Sequence, residues 1–301
     1  MIMGAARLGM RLAETGAYAT GQVLRLFWPV RAPSRPERGF LCLSDRIALL
    51  RATVSNWPLL AVDRIAPRGT ELTYRTVNGR RVHCRARTSD LLETVIVSSG
   101  FEYPVEHLRI DDDHPVVVDV GAHIGTFALL MDSLLGDRPY RGVALEPMAE
   151  NFALLQENLR ANRVTGFTTV QAAAACAAGE GFLRTRGQPD TAFLDPRADE
   201  GERVRTVELG ELCHTMGLDC ISLLKMDIEG GEHDVLAASW PFVAERVKVI
   251  VLEFHEDGPG RDLESLHMLL EPAFTIKVLH RGPTQGVLIA RAHEAGEHVG
   301  G

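Results

Sequence analysis

From Pro115 to Ala292, short apolar runs alternate with stretches whose apolar residues recur every three or four positions. Residues 116–120 are apolar apart from Asp119, as a strand buried on both faces of a parallel sheet should be. Phe127, Leu130, Met131 and Leu134 then fall on one helical stripe. A second strand is expected at 143–145, before a helix striped by Met148, Phe152, Leu155 and Leu159. Further strands are expected at 167–170, 221–226 and 247–254, and a helix at 261–271 carrying Leu263, Leu266 and Leu270. The last two strands, 274–280 and 285–291, are separated only by Arg281-Gly282-Pro283-Thr284. A parallel crossover needs about a dozen residues, so this pair must be antiparallel. The pattern predicts a doubly wound, mostly parallel α/β sheet that ends in an antiparallel hairpin.

Upstream, the pattern is different. Residues 2–28 read as a weakly amphipathic helix, the element best suited to mediate a homodimer, and 29–39 as a linker rich in proline and arginine. Leu72, Tyr74 and Thr76 alternate up to Asn78-Gly79, and Val82, Cys84 and Ala86 alternate after it. That is the signature of two strands joined by a type I′ turn. A short helix over 89–99, capped by Ser89 or Asp90, should follow. The expected division is a helix, linker and hairpin region at 1–110, a cofactor-binding domain at 111–292, and a frayed tail at 293–301.

Of the 301 residues, 46% are apolar and 24% charged, enough to bury a sizeable core. The net charge of -8 argues against a general nucleic-acid binder, which needs clustered cations. Arg80, Arg81, Arg85 and Arg87 form one local basic stretch, read as a solvated hairpin face. The cysteines Cys42, Cys84, Cys176, Cys213 and Cys220 form no CxxC pair and no zinc spacing, so reduced thiols in the cytoplasm are expected. No apolar run is long enough for stable membrane insertion. Arg7, Arg11, Glu14 and Arg25 interrupt what would be a signal peptide's apolar core.

Three segments carry candidate chemistry. In VVVDVGAHIGTFALL, residues 116–130, a strand delivers Asp119, and Gly121 and Gly125 bracket a tight turn into a helix. Glycine there lets a ligand approach the backbone, and the helix start offers free N–H groups. Asp119 could accept from the loop amides or face a ligand ammonium group. Glu146 ends the next strand, where a ribose-bearing cofactor presents its hydroxyls. In LLKMDIEGGEHDVL, residues 223–236, Lys225, Asp227, Glu229 and Glu232 sit where a central strand turns into a helix. VLEFHE, residues 251–256, brings Glu253 and His255 to the same crevice. Histidine titrates near neutrality, which suits a general base.

These segments, with EPMAENFALLQENLRAN at 146–162, resemble the FkbM-type S-adenosylmethionine (SAM)-dependent methyltransferases over roughly residues 88–290. The resemblance implies a class I methyltransferase, Rossmann-like fold and transfer of methyl from SAM. The acceptor it implies is a small molecule, most often a hydroxyl on a sugar, polyketide or other specialised metabolite. Carboxylate and nitrogen acceptors stay open. The chain departs from the family pattern at His123, where asparagine is common, and at Tyr103-Pro104, where Tyr-Glu is common. It also lacks an acidic residue early in AAAACAAGEG, residues 172–181.

On this reading Asp119, Gly121, Ala122, His123 and Gly125 shape the methionine side of the cofactor pocket. Glu146, Pro147 and Asn151 hold the ribose side, and Gln171 and Ala172 flank adenine. Asp227 touches cofactor and acceptor alike; with Lys225, Glu229 and Glu253 it positions the acceptor for His255, the expected base. Asp90, Glu93 and Tyr103 belong to the acceptor side. Asp227, Glu229, Glu253 and His255 could also hold Mg²⁺, but a metal-free acid/base cluster is preferred. Two rivals remain, an NAD-dependent oxidoreductase and a non-catalytic scaffold of the same fold. The absence of glycine at His123 and the antiparallel ending disfavour the first, and the intact Lys225-Asp227-Glu229 set the second.

Overall fold

A computed structural model describes residues 43–185, 192–195, 198, 200–256 and 260–293. The expected helix at 2–28, the linker, and residues 294–301 of the tail lie outside the described residues. The first described elements are helices α1 (Leu43–Thr53) and α2 (Leu60–Ile65). Hairpin strands β1 (Glu71–Arg75) and β2 (Arg81–Arg85) and helix α3 (Asp90–Ser98) follow. Tyr74 faces Val82 and Leu72 faces Cys84, so the alternation seen in the sequence buries one hairpin face.

The turn itself differs from the expected type I′. Gly79 donates to Thr76 and Thr76 to Arg80, while Gly79 at φ +92° is the one left-handed residue of the turn. That is a three-residue loop with a glycine bulge, because Asn78 keeps a negative φ. The arginines are tethered as well as solvated. Arg80 reaches Asp132 at 2.6 Å, and Arg85 reaches Asp90 at 2.9 Å.

Beyond Pro115 the strands and helices alternate as expected. In order they are β3 (Val116–Val120), α4 (Thr126–Leu135), β4 (Arg141–Leu145), α5 (Ala149–Ala161) and β5 (Phe167–Val170). Four short strands come next, β6 (Ala173–Ala174), β7 (Gly179–Thr185), β8 (Ala192–Asp195) and β9 (Glu202–Val207). Then come α6 (Leu209–Thr215), β10 (Leu223–Met226), α7 (Glu232–Ala238), α8 (Trp240–Arg246) and β11 (Val249–His255). The last elements are α9 (Leu263–Leu270), β12 (Phe274–Arg281) and β13 (Gln285–Ala292).

The main sheet has seven strands in the order β12-β13-β11-β10-β3-β4-β5. β3, β4, β5, β10 and β11 run parallel, and β13 pairs antiparallel with both β11 and β12. This is the class I methyltransferase arrangement. β10 begins at Leu223 rather than Ile221, which makes only an isolated bridge to Val247. One core, with Ile124, Met131 and Leu155, covers one face of the sheet and runs on into the hairpin and α3. A second, with Leu224, Leu252 and Leu288, covers the other.

The sequence reading had no place for the second sheet, β6-β9-β7-β8. Its inward side chains are few, Ala173, Leu183 and Val204, and glycines and arginines interrupt the alternation. No helix among the described residues is long and apolar enough to cross a membrane.

Candidate active site

A cavity of about 940 Å³ opens at the carboxyl ends of the parallel strands, where chain order reverses between β3 and β10. Its walls come from the strand-end loops, α3 and the second sheet.

The loop after β3 is held by its neighbours. A Cβ at Gly121, whose φ is +80°, would lie 1.7 Å from the Asp227 carbonyl oxygen. One at Gly125 would meet Leu155 Cδ1 at 2.7 Å. The glycines are therefore required by close packing of the chain on itself, a correction to the expected approach of a ligand. His123, at φ +49°, lines the cavity and donates its backbone N–H to Glu146 Oε2 at 2.9 Å. Ala122 is buried behind the lining.

Glu146 ends β4 and is 5% exposed. Its Oε1 accepts from the Met148 backbone N–H at 2.9 Å and from Asn151 Nδ2 at 3.3 Å. Burial pushes its carboxyl up to about 7, against those hydrogen bonds. Asn151 Oδ1 in turn accepts from Arg85 at 2.6 Å, and Arg85 is clamped to the fully buried Asp90. Asn151 and Pro147 both line the cavity. Of the expected adenine pair, Ala172 is in the wall, but Gln171 is exposed and outside it, because the chain turns outward after Val170.

Lys225 and Asp119 lie beneath the floor. Lys225 Nζ stands 3.3 Å from Asp119 Oδ1 and 3.8 Å from Asp227 Oδ2, and donates to the Gly121 carbonyl at 2.7 Å. Burial opposes its charge, but Asp119 and Asp227 outweigh that and hold the ammonium above the usual lysine range. Burial pushes the Asp119 carboxyl up, and Lys225 opposes it. Asp119 neither bonds the loop amides nor lines the cavity; it is the partner of Lys225.

His255 also departs from its expected role. Its Nδ1 donates to Glu232 Oε1 at 2.9 Å, and its Nε2 faces Glu229 Oε2 at 3.5 Å. Burial opposes protonation, but the Glu232 hydrogen bond prevails and holds the ring well above its ordinary value. An imidazolium between two carboxylates has no lone pair with which to take a proton, so His255 is not the base in this state.

Carboxylates dominate the cavity beside Asp227 and Glu229. Glu93 from α3, Glu102 and Glu253 from β11 all line it. Burial pushes all three up, and repulsion from one another and from Asp227 adds to it. Glu253 Oε1 accepts from Gln285 Nε2 at 3.1 Å.

The structure thus brings Gly121, His123, Glu146, Pro147, Asn151, Ala172, Asp227, Glu229 and Glu253 together at one wall. Asp119, Ala122, Gly125, Lys225 and His255 sit behind it as support. Sequence reasoning missed Glu102 and the second-sheet contributors Phe182, Phe193 and Leu194. The alternation of Val204, Thr206 and neighbours was the available signal for that sheet, whereas Glu102 left none.

Residues 119–273 match the family model described as the methyltransferase FkbM domain. The 31-O-demethyl-FK506 methyltransferase FkbM of Streptomyces tacrolimicus is 30% identical over 246 residues, 68% of this chain and 89% of that protein. The chain belongs to the FkbM methyltransferase family. A 183-residue stretch is also 30% identical to the AMB antimetabolite synthetase AmbE of Pseudomonas aeruginosa, covering 48% of this chain and 8% of that protein. Among solved structures, methyltransferase FkbM from Methylobacillus flagellatus KT has a TM-score of 0.47 and 17% identity, covering 66% of this chain and 53% of that one. M. jannaschii TYW2 in complex with AdoMet has a TM-score of 0.43 and 16% identity, covering 76% and 87%. Membership in the FkbM family sets aside the oxidoreductase reading. The FkbM domain match starts at Asp119 and so leaves out Glu93 and Glu102, two of the cavity's acidic residues.

Proposed function

We propose that this FkbM methyltransferase uses SAM to methylate a hydroxyl oxygen of a compact metabolite. The observation that carries the reading is Glu146, a buried carboxylate at the mouth of β4 whose Oε2 keeps acceptor capacity toward the cavity. The residues present fit a ribose-bearing cofactor: Glu146 receives a ribose hydroxyl, and Ala172 lies against the base. When bound, SAM supplies an electrophilic methyl, which passes to the acceptor oxygen as the C–S electron pair returns to sulfur, leaving S-adenosylhomocysteine. The protein's part is chiefly alignment, since the donor is already activated. Glu253 and Glu93, pushed up toward neutral pH by burial and mutual repulsion, are matched to accept the hydroxyl proton.

The same carboxylates disfavour an anionic acceptor, which would be repelled across a low-dielectric cavity. They give no such objection to an amine. The printed name of the Streptomyces relative describes an O-methylation, which supports the hydroxyl reading.

Calorimetry with SAM and S-adenosylhomocysteine, on wild type and Glu146→Ala, is the test. Binding that collapses in the variant supports the cofactor site, and methyl-labelled SAM against hydroxyl, amine and carboxylate acceptors then sorts the chemistry. No binding by folded wild type refutes the proposal, and labelling of carboxylates alone refutes its acceptor half.

A further inference from the structure

Asp227, Glu229 and His255 each bring a ligand atom to within 4.8 Å of the others. Asp227 and Glu229 belong to the β10–α7 connection and His255 to the end of β11, so rigid elements of the central sheet hold the set. The His255 ring is oriented from behind. Glu232, 0% exposed, accepts from His255 Nδ1 at 2.9 Å and from the Gly230 backbone N–H at 2.9 Å. That leaves Nε2 as the ring atom turned toward Glu229. A carboxylate behind one imidazole nitrogen is the usual support for a histidine whose other nitrogen binds a metal.

A second observation points the same way from another part of the chain. Glu102 is 3% exposed and lines the same cavity. Among the described residues its carboxylate has neither a hydrogen bond nor an ion pair, and its strongest electrostatic neighbours are Glu253, Glu93 and Asp227. A buried carboxylate facing other carboxylates, without a partner, is costly unless a cation shares the space. Lys225 does not serve. Its Nζ is committed to the Gly121 carbonyl and Asp119 beneath the floor, and comes no nearer than 3.8 Å to Asp227.

We propose that Asp227, Glu229 and His255 form a divalent-cation site of the Mg²⁺ or Mn²⁺ class at the acceptor end of the cavity. This reverses the metal-free preference drawn from the sequence. Two carboxylates and one imidazole suit a hard or borderline ion and leave positions for oxygen ligands. The ion replaces the proton that His255 Nε2 shares with Glu229. Its charge offsets the surrounding Glu93, Glu102 and Glu253, and its free positions would hold paired acceptor oxygens beside the methyl donor. That last role rests on the methyl-transfer reading above; the ion site does not.

The experiment is titration of chelator-treated, full-length protein with Mn²⁺, followed by electron paramagnetic resonance without SAM or acceptor. One Mn²⁺ per chain, displaced by Mg²⁺, is expected. Asp227→Asn and Glu229→Gln should each weaken it about tenfold or more. Glu229 is 41% exposed at its side chain, so its variant tests the site without threatening the fold. Asp219→Asn, away from the cavity, should leave binding unchanged. No stoichiometric Mn²⁺ in folded wild type, or unchanged affinity in both variants, overturns the proposal. SAM calorimetry on the same metal-free sample separates the two readings: SAM binding without Mn²⁺ defeats the ion site alone, and Mn²⁺ binding without SAM defeats the methyl-transfer reading alone.

Discussion

Glu146→Gln separates cofactor binding from stability. In the wild type the carboxylate accepts from the His123 and Met148 backbone amides at 2.9 Å each and from Asn151 at 3.3 Å. Burial holds its carboxyl near 7 instead of 4.5, so carrying the charge at pH 8 costs the fold about 3 kcal/mol. Glutamine removes that cost, but its NH₂ must face one of the two backbone donors and leave it unsatisfied, costing about 1–3 kcal/mol. The opposing effects should leave stability at pH 8 within about 2 kcal/mol of wild type. Cofactor affinity has no such compensation. A charged acceptor for a ribose hydroxyl is lost, worth about 1.5–3 kcal/mol, or SAM binding weaker by about 10- to 100-fold. The pH dependence follows from the raised folded value. The folded state binds the proton more tightly, so the wild-type contribution is most favourable below 4.5 and is lost as pH rises toward about 7. The glutamine variant should lack that loss. Urea unfolding at pH 4.5, 6 and 8, with calorimetry at pH 8, reads both quantities. SAM affinity within twofold of wild type would refute the assignment of Glu146, and an identical pH slope would refute the burial argument.

Three further substitutions probe the scaffold. Gly121→Ala forces a Cβ to within 1.7 Å of the Asp227 carbonyl at a left-handed φ, so destabilisation of at least about 3 kcal/mol is expected in urea unfolding; a loss under about 1 kcal/mol would show that the β10 exit yields freely. Asn158→Ala should cost about 2–4 kcal/mol, because its buried amide bonds the His83 backbone N–H at 2.7 Å and the Ile124 carbonyl at 2.9 Å, tying the hairpin to the cofactor loop. Unchanged thermal unfolding would mean water replaces those bonds. Lys225→Met strands the fully buried Asp119 beside it and should cost about 3–5 kcal/mol at pH 7. Wild-type stability there would show that the pair is electrostatically unimportant.

Much of the framework was legible because it depends on near neighbours in the chain. Leu263, Leu266 and Leu270 mark α9 by spacing alone. The four residues from Arg281 to Thr284 cannot span a crossover, and β12 and β13 are indeed antiparallel. The candidate wall was also largely readable, since acidic residues at the ends of buried strands can point only into the crevice, as Glu146, Asp227 and Glu253 do. The second sheet was not, because its small strands bury too few side chains to impose a clear period.

By itself, then, the sequence determined the strand order's parallel core, its antiparallel ending and the acidic strand ends, all consequences of local periodicity and connection length. Only the tertiary structure decided what those groups do. Gly121 is a glycine because the Asp227 backbone lies against it, and His255 is an imidazolium because Glu232 and Glu229 close on it. Glu102 joins the site because α3 and its following loop fold over the cavity. Charge state and steric fit depend on distance through space, and distance along the chain does not set it.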